Sequence, residues 1–425
     1  MSIIFVLLVL AVLLIDVYAF RGMRRLFSHR RLTPLRVFAL KTYWLVDILF
    51  ILFSVGWVWY IRNSGLDDYI KYRMHYVVMA GFLMIFLPKL SFFLFTALYD
   101  VKLIMLRISQ RLFTSKPGTN ALLARWKRSK AVPLVGFLVA VYVFSATLYG
   151  VGFGRFNFQV ETVEVWIDDL PEAFDGFRMV QFSDTHLGSF SQVDMVEAGL
   201  NLITSLDPDV IVFTGDMVNN EAGEALKFIS VFRQLEAREG MFSVLGNHDM
   251  GDYRRWGTIE EKSSNIDLLV EYQREMGFDV LLNEHRFIRR GSDSIMIAGV
   301  KNWGLPPFAQ YGDIDMALGE YRDFPFIIMA SHDPSHWRAE VIPKTNVHLT
   351  LSGHTHGMQF GITNRFFSWS PVKLKYNEWS GLYSEGNQKL YVNRGFGYLS
   401  FPGRVGMPPE ITLIVLRTRL IADGE

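Results

Sequence analysis

With 425 residues, half of them hydrophobic, the chain is long enough for more than one folded unit. It contains no cysteine, which excludes a disulfide framework and thiol catalysis. The net charge of +1 hides two halves of opposite sign, since residues 1–160 hold 20 Lys+Arg against 5 Asp while the remainder holds 23 against 37 acidic residues. An acidic second half without a broad basic tract argues against a nucleic-acid partner.

Four apolar segments of the basic half have the roughly 20 residues needed to cross a bilayer. Residues 3–20 are apolar except for Asp16 and lack an ordinary n-region or small-residue cleavage site, so they read as an anchor rather than a removed signal peptide. Residues 42–61 carry Trp57, Trp59 and Tyr60 at one end, like an interfacial belt. Residues 76–98 are interrupted by Pro88 and Lys89, and residues 132–151 complete the set. A buried helix of a soluble core is the alternative for any one of them. Four within 150 residues, separated by basic loops, favour a transmembrane region over residues 1–157.

The loops predict an orientation. Arg21–Lys41 carries seven Lys+Arg and Lys102–Lys130 carries eight, whereas Arg62–Arg73 carries three beside Asp67 and Asp68. The positive-inside bias turns the first and third loops to the cytoplasm and leaves everything after the fourth span outside. A re-entrant third segment at Pro88 would reverse that placement. Asp16 and Asp47 fall within or near apolar spans, where a carboxylate is costly unless paired or facing a cavity. A site in the bundle and, for Asp16, an interfacial position are both open readings. Within 101–128, leucines and isoleucines alternate with basic residues (LIMLRISQRLF), which suits an amphipathic helix along an anionic inner leaflet.

Residues 158–425 read as a soluble domain. Strands are predicted at 160–167, 177–182, 209–213, 241–245, 295–300, 326–330 and 347–351, and helices at 193–206 and 222–236. Strands alternating with helices, then a more strand-rich part, predict an α/β or layered αββα arrangement. Five of these strands end in polar clusters: Ser183–His186, Thr214–Asp216, Gly246–Asp249, Ser331–His332 and Ser352–His356. Five of the eight histidines of this half sit at those ends. Residues at the carboxyl ends of sheet strands converge on a crevice. Each cluster alone could be a cap or a turn; five together point to one site.

These clusters resemble the calcineurin-like metallophosphoesterases: D-x-H at Asp184/His186, G-D at Gly215/Asp216, G-N-H-D at Gly246–Asp249, a later His332, and G-H-T-H at Gly353–His356. LPEAFDGFRMVQFSDTHLG at Leu170–Gly188, GHTHGMQ at Gly353–Gln359 and the ending RGFGY…GMPPEITLIVL are similar to a bacterial membrane-associated branch of that family. The resemblance covers roughly residues 160–418 and implies a four-layer αββα sandwich, here behind a helical transmembrane bundle. It also implies two divalent metal ions, with Asp184, His186 and His356 holding one, Asn247, His332 and His354 the other, and Asp216 bridging both. Carboxylate, carboxamide and imidazole ligands suit Mn, Fe or Zn, and the lack of thiolate disfavours a structural zinc cage. The implied reaction is attack of metal-activated water on phosphorus. By the same resemblance, His248 donates a proton to the leaving group or stabilises the transition state. Asp249 would orient the His248 imidazole, with a turn cap as the alternative role. Gly188, Gly215, Gly246 and Gly353 would permit the tight strand-end turns, with relief of crowding as the alternative for some of them, and Met358 stands where relatives of this branch often have glycine.

The substrate is less legible. Phe366, Phe367, Trp369, Tyr376 and Trp379, with Arg365, Lys373 and Lys375, could form an amphipathic lip that meets anionic lipid heads; an internally packed hairpin is the other reading. The expectation is a phosphoester or pyrophosphate on a lipid-linked molecule, hydrolysed outside a bacterial cytoplasmic (inner) membrane, with the bilayer as partner. The alternatives are a tethered phosphodiesterase for soluble substrates and a non-catalytic metal-binding sensor or transport-associated module.

Overall fold

Long runs of leucine, isoleucine, valine and phenylalanine wind into helices in the first part of the chain: α1 Ile3–Leu26, α2 Thr33–Asn63, α3 Asp68–Leu112, α4 Pro117–Arg128 and α5 Ala131–Gly152. A helix satisfies its own backbone polar groups, as hydrocarbon demands. The computed structural model describes residues 3–28, 33–112, 117–364 and 367–418. It divides into two units, Met1–Leu66 with Met74–Tyr149, and Asp67–Arg73 with Gly150–Glu425.

Among the described residues, three helical stretches are long and apolar enough to cross a membrane: Arg36–Asn63, Tyr69–Leu112 and Leu123–Phe156. The expected span at 3–20 is helical within α1, and its crossing of the bilayer stands as a proposal. Leu14, Leu52, Leu98 and Tyr142 face outward, giving this unit the apolar exterior that suits lipid contact. Pro88 does not break α3 into a re-entrant pair, since the helix runs through it for 45 residues. At 1.5 Å per residue that is roughly 68 Å, about twice the thickness of the hydrocarbon core. Most of the expected amphipathic stretch is the end of this same helix, and α4 follows separately.

The second unit is built on two six-stranded sheets. One contains β1 (Gln159–Trp166), β2 (Arg178–Phe182), β3 (Val210–Phe213), β4 (Met241–Ser243), β5 (Asp279–Val280) and β14 (Glu410–Arg417). Their order is β1-β14-β2-β3-β4-β5, with β2 to β5 parallel. The other contains β6 (Glu284–Arg290), β7 (Asp293–Gly299), β8 (Ile327–Ala330), β9 (Leu349–Ser352), β12 (Gly381–Glu385) and β13 (Gln388–Val392). Here the order is β12-β13-β9-β8-β7-β6, with β13, β9, β8 and β7 parallel. A short hairpin pairs β10 (Ile362–Thr363) with β11 (Ser368–Trp369).

Alternation along the strands shows the layers. In β7, Ile295 and Ile297 join a core shared with Val212, Phe242 and Ile414 of the first sheet, while Met296 and Ala298 turn the other way. Those two pack under α9 (Ile314–Leu318) and the Trp337 turn. On the far face of the first sheet, Phe182 and Phe213 meet Phe232 of α7 (Ile229–Phe232) and Phe278. Nearby, α6 (Val193–Ser205) buries Val196, Leu200 and Ile203. Both sheets are thus buried on two faces, the condition that lets parallel strands read as continuous apolar runs. The mixed α/β fold expected from the sequence is present.

Two elements differ from expectation. The stretch 222–236 is not one helix but two 3₁₀ turns and the single-turn α7. Its buried apolar residues (Ala222, Ala225, Phe228, Ile229, Val231, Phe232 and Leu235) keep the three- and four-residue spacing of a helical face, yet the backbone is broken into turns, so the periodicity reports the buried side without fixing the element. The reverse holds for α8 (Ile259–Glu275). Only Leu269, Val270 and Gln273 are buried in that charged helix, which Thr258 caps by accepting from Glu261 N.

Candidate metal centre

The polar clusters follow the ends of β2, β3, β4, β8 and β9, and because these strands run parallel within each sheet, the ends gather at one edge. Asp184, His186 and His356 place ligand atoms within 4.8 Å of one another, as do Asp216, His332 and His354. Asp216 joins the two groups, with Oδ2 lying 3.1 Å from His332 Nε2 and 3.7 Å from His186 Nε2. Asn247 completes the second group, its Oδ1 2.8 Å from His354 Nδ1. All seven expected ligands therefore meet.

The residues fit divalent ions. His186 Nε2 and His356 Nε2 face each other at 3.0 Å inside the protein, and His356 Nε2 is also 3.3 Å from Asp184 Oδ1. Converging lone pairs of this kind match a shared cation. Outer contacts fix the rings. His332 Nδ1 donates to the Thr214 carbonyl at 2.7 Å, which frees Nε2 for the centre. His354 turns Nδ1 inward while Nε2 meets the Tyr376 hydroxyl at 2.8 Å, and Tyr253 accepts from Asn247 Nδ2 at 2.8 Å, which aims Oδ1 at the centre. The buried Arg404 sits 3.2 Å from His356 Nδ1 and donates to the carbonyls of Gly395 and Gly397.

The backbone is strained where the chemistry lies. Asp184, His186, Asp216, His354 and His356 all have positive φ, between 46° and 69°, a region that residues other than glycine seldom enter. Of the two purposes expected for the glycines around them, relief of crowding is the commoner. Of Gly188, Gly215, Gly246 and Gly353, only Gly215 has positive φ. At Gly246 and Gly353 the need is close approach, because a Cβ there would strike the Asp216 or Asp184 carboxylate.

Burial alone would raise the two central carboxyls. His356 and His332 overcome it at Asp184, and His332 and His248 do so at Asp216, holding both below the usual carboxylate range. Burial works against charge on His332, yet the Asp216 carboxylate pushes its pKa up to about 10. In the metal-free protein His332 thus keeps its extra proton through the neutral range, and an ion must displace it. Metal affinity is expected to fall by about tenfold per pH unit on acidification for each proton displaced, which calorimetric Mn²⁺ titrations at two pH values would measure.

His248 lies beside the centre, its ring 4.9 Å from that of His186 and stacked at 4.3 Å on Tyr253. Of the two roles expected for Asp249, the contacts favour the turn cap. Its carboxylate accepts from the backbone N–H groups of Asp216, Met217, Val218 and Gly246 at 2.8–3.2 Å, while His248 Nδ1 is held by the Asn219 carbonyl at 2.6 Å. Asp249 points back into the loops, where it is the acceptor for these four amides among the described residues. Asp249→Ala is therefore expected to destabilise the fold by roughly 3 kcal/mol or more, since each orphaned donor costs about 1–3 kcal/mol. A thermal unfolding midpoint well below that of the parent protein would report it.

The aromatic tract beyond the centre splits in two. Trp379 is buried, and Tyr376 packs against it with Val372 and Met407, so neither belongs to an exposed lip. Phe367 and Trp369 are exposed, as are Ile362, Met358 and Leu374. Arg365 and Phe366 lie outside the described residues. Phe308 sets its edge against the His354 ring at 4.8 Å, and Lys375 Nζ stands 4.5 Å from the Phe308 ring, so one cation borders the metal residues. Sequence reasoning missed Phe308, Tyr253 and Arg404, none of which lies in a strand-end cluster.

The family described as "Calcineurin-like phosphoesterase" matches residues 177–358, and that described as "Probable Calcineurin-like phosphoesterase, transmembrane domain" matches residues 1–155. The chain is 33% identical over 286 residues to the uncharacterized metallophosphoesterase YkuE of Bacillus subtilis, covering 63% of this chain and 90% of that protein. A transmembrane protein with a metallophosphoesterase domain from Danio rerio is 28% identical over 267 residues, with 61% of this chain and 57% of that protein covered. The UDP-2,3-diacylglucosamine pyrophosphatase LpxG of Chlamydia trachomatis is 29% identical over 297 residues, with 58% of this chain and 86% of that protein covered.

Proposed function

Because the chain belongs to the calcineurin-like metallophosphoesterases and carries a transmembrane domain, we propose that it is a membrane-anchored dimetal hydrolase of a lipid-linked phosphoester or pyrophosphate. The observation that carries the chemistry is the pair of three-residue ligand groups joined by Asp216. Asp184, His186 and His356 would hold one ion and Asn247, His332 and His354 the other. Two bound divalent ions would supply charge for the phosphoryl oxygens and make water a nucleophile at neutral pH. Mn, Fe or Zn suits these donors.

The remaining steps belong to the protein. Asp216 Oδ1 accepts from His248 N at 2.8 Å, tying the ring's backbone to the centre. With Nδ1 committed to the Asn219 carbonyl, Nε2 is the nitrogen of His248 that hands a proton to the leaving oxygen. Stacking on Tyr253 keeps that ring in place, and Lys375 is positioned to pair with a further phosphate oxygen.

Three features support a lipid-linked substrate. The chain carries its own membrane unit, the β10–β11 hairpin exposes Ile362, Phe367 and Trp369, and the relative LpxG is named for a diacylated UDP-sugar pyrophosphate. Four crossings with the basic loops inside would place the hydrolase outside a bacterial cytoplasmic membrane. The test uses the full chain in phospholipid nanodiscs with Mn²⁺, comparing a diacylated nucleotide diphosphate with the same molecule lacking its acyl chains. A higher kcat/KM for the acylated form is expected. Equal values would sink the lipid-linked reading and leave a tethered phosphodiesterase.

A further inference from the structure

The membrane unit holds a charge cluster that phosphoester hydrolysis does not use. Asp16 has 13 residues of α1 before it and 10 after; Asp47 has 14 and 16 in α2; Lys89 has 21 and 23 in α3. Each lies inside an apolar run, with the next charged residues at Arg21, five after Asp16, at Lys41, six before Asp47, and at Asp100, eleven after Lys89. The three side chains meet. Lys89 Nζ is 2.9 Å from Asp16 Oδ1 and also contacts Asp47 Oδ1. Tyr43, one turn before Asp47, sets its ring 4.4 Å from the Lys89 ammonium and donates its hydroxyl to the Asp16 carbonyl oxygen at 3.0 Å. Their side chains are 12–16% exposed, and α5 carries no charged residue that could join them.

The cluster does not balance. Two carboxylates and one ammonium leave a net charge of −1 at a depth where an unmatched charge is expensive. Asp47 Oδ2 and Asp16 Oδ1 are both buried without a hydrogen-bond partner among the described residues, but Asp16 Oδ1 has the Lys89 ammonium 2.9 Å away. The unit's buried Asp100 shows the contrast, because it accepts from Tyr18 Oη at 2.8 Å and pairs with Arg25 at 3.0 Å and Arg21 at 3.9 Å, so that its charge is fully matched. We propose that Asp16, Asp47 and Lys89 form a proton-binding site in the membrane interior, in which one exchangeable proton taken from water neutralises the second carboxylate. Lys89 keeps its charge and holds the remaining carboxylate ionised. The proton adds at Asp47 Oδ2, the oxygen with no donor. Loading and unloading of this proton would switch the junction of α1, α2 and α3 between a neutral and a charged state.

The test is difference infrared spectroscopy of the full chain in phospholipid nanodiscs, read through a pH titration. A protonated-carboxyl band is expected at neutral pH, shifting on H/D exchange and disappearing in Asp47→Asn. Lys89→Met removes the ammonium, so its band is expected to double as both carboxyls take a proton; this readout does not depend on the asparagine variant folding. Retained hydrolysis of a soluble aryl phosphodiester confirms that the second unit of each variant is folded, and an unchanged helical circular-dichroism signal confirms the membrane unit. Absence of the band in the parent protein overturns the proposal, as does a band unchanged in both Asp16→Asn and Asp47→Asn. A Na⁺-dependent change without any carboxylic-acid band would assign the site to sodium and equally overturn it.

Discussion

Asp216→Asn is expected to leave the protein with at most one ion per chain and to cut phosphodiester hydrolysis by about 10³-fold or more. The size follows from position. Asp216 Oδ2 stands between His332 and His186, one from each ligand group, and at 3.1 Å it is closer to His332 than Asp184 Oδ1 is at 4.0 Å. An amide there keeps the volume and can still accept from His248 N, but it lacks the charge that two cations require. Several kcal/mol of transition-state charge stabilisation would go with it, and each 1.36 kcal/mol is a factor of about ten in rate. Elemental analysis of the purified full chain, paired with initial rates on an aryl phosphodiester, measures both quantities. Two ions and an unimpaired rate would remove Asp216 from the bridging position.

His248→Gln should separate binding from chemistry. Its ring is anchored by the Asn219 carbonyl and stacked on Tyr253, and it lies outside both ligand groups. Both ions are therefore expected to remain while the rate falls about 10²–10⁴-fold, the usual span for a general acid. The loss should shrink on a substrate whose leaving group needs no proton, such as a nitrophenolate ester. A uniform loss across leaving groups would instead assign His248 to binding the phosphoryl oxygens.

Much of this site was readable because the relevant residues are tied to strand ends. Asp184, Asp216, His332 and His356 each follow a short apolar run, and the parallel arrangement brings those ends together by topology alone. What escaped depends on contacts remote in sequence. Tyr376 read as one aromatic among several near an exposed tract, yet its hydroxyl meets His354 and its ring packs with Trp379. Nothing local separates it from Trp369, which is exposed. Asp249 stayed undecided for a related reason: adjacency to His248 suggested partnership as readily as a turn cap, and the amides it serves belong to the turn after β3 and to Gly246. The C-terminal strand β14 lies between β1 and β2, a pairing of the chain's last strand with its first two that no periodicity could announce.

The two ligand groups draw on both sheets. Asp184, His186, Asp216 and Asn247 follow strands of the first, and His332, His354 and His356 follow strands of the second. Ions held there would be cross-links between halves of the sandwich, in a chain that has no cysteine with which to make any other. Each would add about 2.7 kcal/mol to the stability of the fold at a free concentration 100 times its dissociation constant. The inventory of the catalyst and the inventory of the fold's fasteners would then be the same two atoms.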